Sequence, residues 1–162
     1  MANYTLILDD DLEEDFGLIA IHCAAEDYKM AYLCNRSLNV LLKRKKTDLD
    51  FSREGLIVTF PWFEYENPSN YVSYDLIKNS CRSLKAHTLS SGGLFSSETQ
   101  SETTTYLLPE LRRVDYFLKI SGEGDLPSFR PLLNKLKKID EVISAYEVDT
   151  ASLKSINNLI FD

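Results

Sequence analysis

Apolar and polar positions follow two different periods along this chain, and the changes of period predict its elements. Tyr4 to Leu8 alternates with period two and reads as a short strand. Phe16 to His22 is a continuous, partly β-branched apolar run, as expected of a strand buried on both faces. From Glu26 to Leu38 the period changes. Met30, Leu33, Cys34, Leu38 and then Leu41 follow helical spacing, with early acids suited to the positive end of a helix dipole. Asn39 is a natural terminator because asparagine tolerates the left-handed conformation. Val40 to Phe51, Gly55 to Glu66 and Tyr71 to Ser80 read as three further strands. The last two form a hairpin about Asn67-Pro68-Ser69-Asn70.

The C-terminal third carries the clearest pattern. Val114 to Ser121 predicts a strand with Val114, Tyr116, Leu118 and Ile120 on one face, followed by a turn at Gly122 to Gly124. A helix then starts at Ser128, whose hydroxyl can cap it, and carries Phe129, Leu132, Leu133 and Leu136 as its apolar stripe. Glu141 to Val148 is a strand, and Asp149 can cap a last short helix bearing Leu153, Ile156 and Ile160. A strand–helix–strand unit needs a crossover, which predicts two parallel strands. The expected fold is therefore α+β (mixed α/β). Antiparallel N-terminal strands join the C-terminal unit in one mixed sheet, with helices mainly on one face.

Composition narrows the classes. At 162 residues, 44% hydrophobic and 27% charged, residues 1–162 are expected to form a single domain with a substantial core. Residues 88–105 are dominated by Ser, Thr, Gly and Gln and read as a polar, mobile loop, or alternatively a lid. A formal net charge of −7 penalises nucleic acid and anionic membranes alike. The short basic runs Lys43 to Lys46 and Lys135 to Lys138 read as solvated faces, with RNA binding through Lys43 to Lys46 the weakest alternative. No apolar run approaches the roughly 20 residues of a spanning helix. Three cysteines without a close pair suit reduced thiols and a cytoplasmic location.

Chemical signatures are sparse. Asp9 to Asp15 is almost wholly acidic but lacks the register of a calcium loop, so no metal site is assigned. His22 and Cys23 are adjacent on a strand and point to opposite faces, which disfavours a nucleophile pair. His87 opens the polar loop. Gly122-Glu123-Gly124 lacks the third glycine of a dinucleotide loop and puts acids where a pyrophosphate would sit. No catalytic residue and no cofactor are assigned. The aromatics Phe60, Trp62, Phe63 and Tyr65 are read as sheet packing rather than a binding platform.

The segment Leu108-Pro109-Glu110-Leu111-Arg112-Arg113-Val114-Asp115-Tyr116 is the most distinctive. Pro109 fixes its own φ and pushes Leu108 into an extended conformation, directing the chain into the following strand. With Pro109, Glu110, Val114, Asp115 and Tyr116 in place, and Leu108 where isoleucine is usual, the segment resembles the motif of the bacterial IPExxxVDY family. The order of elements from Phe16 onward is similar too, through Asp27-Tyr28-Lys29-Met30-Ala31-Tyr32-Leu33, Asn35 and Asp48-Leu49. That resemblance implies a bacterial cytoplasmic protein and supplies no activity. Read physically, Pro109, Glu110, Arg112, Asp115 and Tyr116 either anchor the turn or line a pocket, and the architectural role is favoured. The leading functional expectation is a non-enzymatic protein-binding or assembly module, with a protein partner or a homo-oligomer. The alternative is a small-molecule-binding or enzymatic domain with its pocket at this motif.

Overall fold

A computed structural model describes residues 16–53, 56–84, 102–123 and 125–161 of the chain. The expected strand at Tyr4 to Leu8, the acidic run Asp9 to Asp15, and His87 lie outside the described residues. In chain order the elements are β1 (Phe16–Cys23), α1 (Asp27–Leu38), β2 (Lys43–Arg44), β3 (Leu49–Arg53), β4 (Leu56–Phe60), β5 (Trp62–Asn67), β6 (Val72–Lys78), β7 (Ser80–Leu84), β8 (Glu102–Tyr106), β9 (Tyr116–Gly122), α2 (Phe129–Leu136) and β10 (Val142–Val148). Short 3₁₀ turns occur at Pro109–Leu111, Thr150–Ser152 and Ile156–Leu159. No helix among the described residues is long and apolar enough to cross a membrane.

Six strands form the main sheet in the order β10-β1-β9-β6-β5-β2, and β3-β4 and β7-β8 form two separate pairs. Every pairing is antiparallel. The fold is α+β and strand-dominated, and among the described residues the expected parallel pairing within a mixed sheet does not occur. The C-terminal strand–helix–strand unit does return β10 in the direction of β9, but β1 sits between them and pairs antiparallel with both. β9 and β10 thus share a direction, as a crossover requires, without being neighbours.

Several expected strands are interrupted, each for a local reason. Pro61 divides the Gly55 to Glu66 run into β4 and β5, because proline offers no amide to the ladder. Its carbonyl instead accepts the Lys78 amide. The Val40 to Phe51 run becomes an irregular stretch, then β2 and β3. Asn35 holds Leu42 at both backbone groups, donating through Nδ2 to its carbonyl at 3.1 Å and accepting its amide on Oδ1 at 2.7 Å. That draws Val40 and Leu42 into the core beneath α1. Asn39 ends α1 at φ 58°, ψ 46°, and the reversal leaves Leu41 exposed instead of extending the helical stripe. Residues 102–105 of the expected polar loop are strand β8; 85–101 lie outside the described residues. The predicted β5–β6 hairpin forms about Asn67 to Asn70, with Tyr71 at φ 54° completing the turn.

The main sheet buries both faces. On the first, α1 and α2 cover Ile19, Ile21, Leu76, Tyr116, Leu118 and Ile120 with Met30, Cys34, Leu38 and Leu136. Phe129 lies so close over Gly17 that a Cβ there would meet the ring at 1.8 Å, so a larger residue would have to displace the ring. Ser128 occupies the cap position of α2 but makes no side-chain cap bond. On the second face, Leu18, Ala20, Ile77 and Phe117 pack under Val58 and Phe60 of β4, Leu107, Leu108 and Val114, and the C-terminal residues Leu153 and Leu159. Val114 therefore faces opposite to Tyr116, Leu118 and Ile120, contrary to expectation, because it precedes the first ladder residue of β9. Asp149 caps a 3₁₀ turn rather than an α-helix, its Oδ1 accepting the Ala151 amide at 3.1 Å.

The second face also buries charge. Asp75 and Lys119 are cross-strand partners, 6% and 2% exposed. Trp62 donates its Nε1–H to Asp75 at 2.7 Å, and Lys119 donates to the Leu159 carbonyl at 2.8 Å beneath the rings of Phe16 and Phe161. Burial pushes the Asp75 carboxyl up to about 6, against the opposing pull of the Trp62 bond and the Lys119 charge. A raised carboxyl favours the folded state below its unfolded value, and that contribution is lost as pH rises through the folded value. In urea unfolding, stability of the wild type relative to Asp75→Asn is expected to be greater at about pH 4.5 than at about pH 7.5, by about 2 kcal/mol. A difference that does not change with pH would contradict the burial of an ionisable Asp75.

Candidate functional site

The conspicuous motif is built around a residue outside it. Pro109 opens the 3₁₀ turn, and Leu108 before it is extended at φ −115°, ψ 94°, as a residue preceding proline should be. Leu107 and Leu108 insert into the second core, which strips water from their backbone groups and those that follow. Asn79, wholly buried between β6 and β7, satisfies them. Its Oδ1 accepts the Leu108 amide at 2.9 Å, and its Nδ2 donates to the Leu111 and Val114 carbonyls at 3.0 and 2.9 Å. Its own amide donates to the Asp115 carbonyl and its carbonyl accepts the Leu107 amide.

The motif carboxylates are turned to backbone amides. Asp115 Oδ2 accepts the Cys23 amide at 2.9 Å, at the point where the β1–β10 register shifts. Glu110 Oε1 accepts the Ser155 amide at 2.8 Å. Partial burial opposes ionisation of Glu110, but hydrogen bonds from the backbone around Ser155 outweigh it and hold the carboxyl below its ordinary value. The Tyr116 hydroxyl donates to the Ala25 carbonyl, and burial pushes the phenol well above its usual range. Asn158 donates to the Leu107 carbonyl at 2.7 Å, so the C-terminal segment is stitched to the same turn. Arg112 is exposed and makes no side-chain hydrogen bond or ion pair among the described residues. Of the motif residues, Asp115 and Tyr116 line a cavity whose lining does not include Pro109, Glu110 or Arg112.

That cavity is a cleft of about 540 Å³ at the end of the main sheet. The chain leaving β1 at Cys23 to Glu26 forms one side, and Lys78, Ser80, Cys81 and Arg82 form the other. Burial raises the Cys23 thiol in this cleft, and the thiol of Cys34, in the core outside it, is pushed up to about 12, also by burial. His22 stacks on Tyr146 of β10 at 5.8 Å between centroids. No cluster of three metal-ligating side chains occurs among the described residues.

The basic run is partly spent within the fold. Arg44 pairs with Asp48 at 2.7 Å and Asp27 at 3.3 Å, and Lys45 with Glu64 at 2.6 Å. The two cations also cover the rings of Phe63 and Trp62, occupying faces on which a base would stack.

No family model matches the chain, and no match is found among curated proteins or solved structures. Asn79, Asn158, Asp75 and Lys119 carry no sequence signal beyond a polar side chain within or beside apolar runs, and none was among the expected site residues. Replacing Asn79 with Ala takes the partner from the buried Leu108 amide and Val114 carbonyl and leaves the Leu111 carbonyl with the Val114 amide alone. Denaturant unfolding is expected to register a loss of ~2–4 kcal/mol, against under ~0.5 kcal/mol for Arg112→Ala. Equal effects would contradict the assignment of Asn79 as the support of the motif.

Proposed function

We propose that the protein is a non-enzymatic assembly module that joins a second copy of itself through the outer edge of β10. The observation that carries this reading is the contrast between the two edges of the main sheet. One edge is β2, only two residues long, both exposed and basic, which is how natural sheets blunt an edge. The other is β10, seven residues long, β-prone, free of proline and bearing Glu147 as its one charge. Among the described residues no strand pairs with its outer side. Ile143 and Tyr146 are 79% and 41% exposed there.

The edge is suited to its own copy. An antiparallel pair centred on Ala145 would set Val142 opposite Val148, Ile143 opposite Glu147 and Ser144 opposite Tyr146, with no like charges facing. Helices, hairpin and C-terminal segment cover the central strands on both faces of the sheet, while Ile143 and Tyr146 of β10 stay exposed beside the edge. The engagement of Glu110 and Asp115 by backbone amides supports the architectural reading of the motif over a catalytic one. Membership of the IPExxxVDY family and a cytoplasmic location belong to this proposal. They are supported by the match at Pro109, Glu110, Val114, Asp115 and Tyr116 and by cysteines that are free among the described residues.

Light scattering across a concentration series should find a monomer–dimer equilibrium. Ile143→Lys, at an exposed position, is expected to weaken it tenfold or more without lowering the unfolding midpoint appreciably. A strict monomer at high micromolar concentration, or a dimer indifferent to this substitution, would sink the proposal.

A further inference from the structure

The cleft at the sheet end has a charge pattern that the architecture does not use. Antiparallel order places the end of β1, the start of β9 and the end of β6 side by side, with β9 in the middle. Glu26 therefore comes from the β1 side, Lys78 and Arg82 from the β6–β7 side, and Asp115 from between them. Asp115 is fixed by the Cys23 amide and Tyr116 by the Ala25 carbonyl, so this middle part is pre-formed. Neither Lys78 nor Arg82 makes a side-chain hydrogen bond or ion pair among the described residues, although two carboxylates line the same cleft. Elsewhere Arg44 and Lys45 close onto acids at 2.6 to 3.3 Å. Here the two signs stay apart across an open space.

We propose that this cleft binds a small zwitterion of the α-amino-acid class. Lys78 and Arg82 take its carboxylate, and Asp115 and Glu26 take its ammonium group. A simple anion entering the cleft meets two carboxylates, and a simple cation meets an ammonium and a guanidinium. A zwitterion oriented along the line from β1 to β6 finds the opposite charge at each end, which is the electrostatic condition for selective recognition. Ala24, Ala25 and Pro61 supply apolar wall for a side chain. The volume of about 540 Å³ lies in the range of ordinary small-molecule sites.

The test uses the full chain, labelled with ¹⁵N and titrated with each proteinogenic α-amino acid in turn. Succinate and n-butylamine serve as single-sign probes. At least one amino acid should give saturable shifts at Ala24 to Glu26, Ser80 to Arg82 and Asp115 to Tyr116, binding tenfold or more tightly than either probe. Lys78→Gln and Arg82→Gln should each weaken that binding about tenfold, the size expected for loss of one charge-assisted hydrogen bond. Glu26→Gln, at an exposed carboxylate, should weaken it less. Retained spectral dispersion will show that each variant is folded. No saturable shift with any amino acid overturns the proposal. So does succinate binding as tightly as the best amino acid, which would make this an anion site, or affinity unchanged in both Lys78→Gln and Arg82→Gln.

Discussion

One buried carboxamide carries the connection on which the rest of the arrangement depends. At Asn79 the chain leaves the main sheet at the end of β6 and enters the β7–β8 pair. When it returns from β8 it must pass Leu107 and Leu108 into the second core and then turn into β9. Such a passage strands backbone amides and carbonyls away from water, each at a cost comparable to a lost hydrogen bond. A carboxamide offers one acceptor and two donor hydrogens in a fixed plane. Asn79 meets one amide and two carbonyls of the returning loop with that single group. An aspartate would lack the donors and a leucine would lack both, so neither could replace it.

The motif extends this support outward. Asp115 satisfies the Cys23 amide of β1, Tyr116 ties the β1–α1 connection, and Glu110 holds the C-terminal segment at Ser155. Lys119 grips the same segment at Leu159, below the buried Asp75 and Trp62. The second face thus buries charged groups, whereas the first is closed by the apolar stripes of two helices with hydrogen bonds from Asn35 and Tyr116 at its margins. Under the two proposals made above, recognition falls to the β10 edge and to the cleft where β1, β9 and β6 end together.

Elements with a strong period were legible from the sequence: β1, α1 with its Asn39 terminator, the β5–β6 hairpin, the α2 stripe and β10. What was not legible depends on contacts distant in the chain. The division at Pro61 could have been taken from proline's missing amide, but not the assignment of β4 and β5 to different sheets. The insertion of β1 between β9 and β10 leaves no local mark. Asn79 looked like a polar strand end, and its partners lie 29 to 35 residues away. Of the named site residues, Pro109, Glu110, Asp115 and Tyr116 have defined structural partners or positions, and Arg112 has only exposure. The cleft itself was unreadable, because sheet order alone brings Lys78 and Arg82 to the same cavity as Glu26.

The most direct measurement of the central claim is native-state hydrogen exchange at the Leu108 amide. If Asn79 holds the returning loop, this proton exchanges as slowly as those of Leu118 and Ile19 in the central strands, only through global unfolding. Exchange of Leu108 at a rate near that of an open loop, while the central strands stay protected, would contradict it.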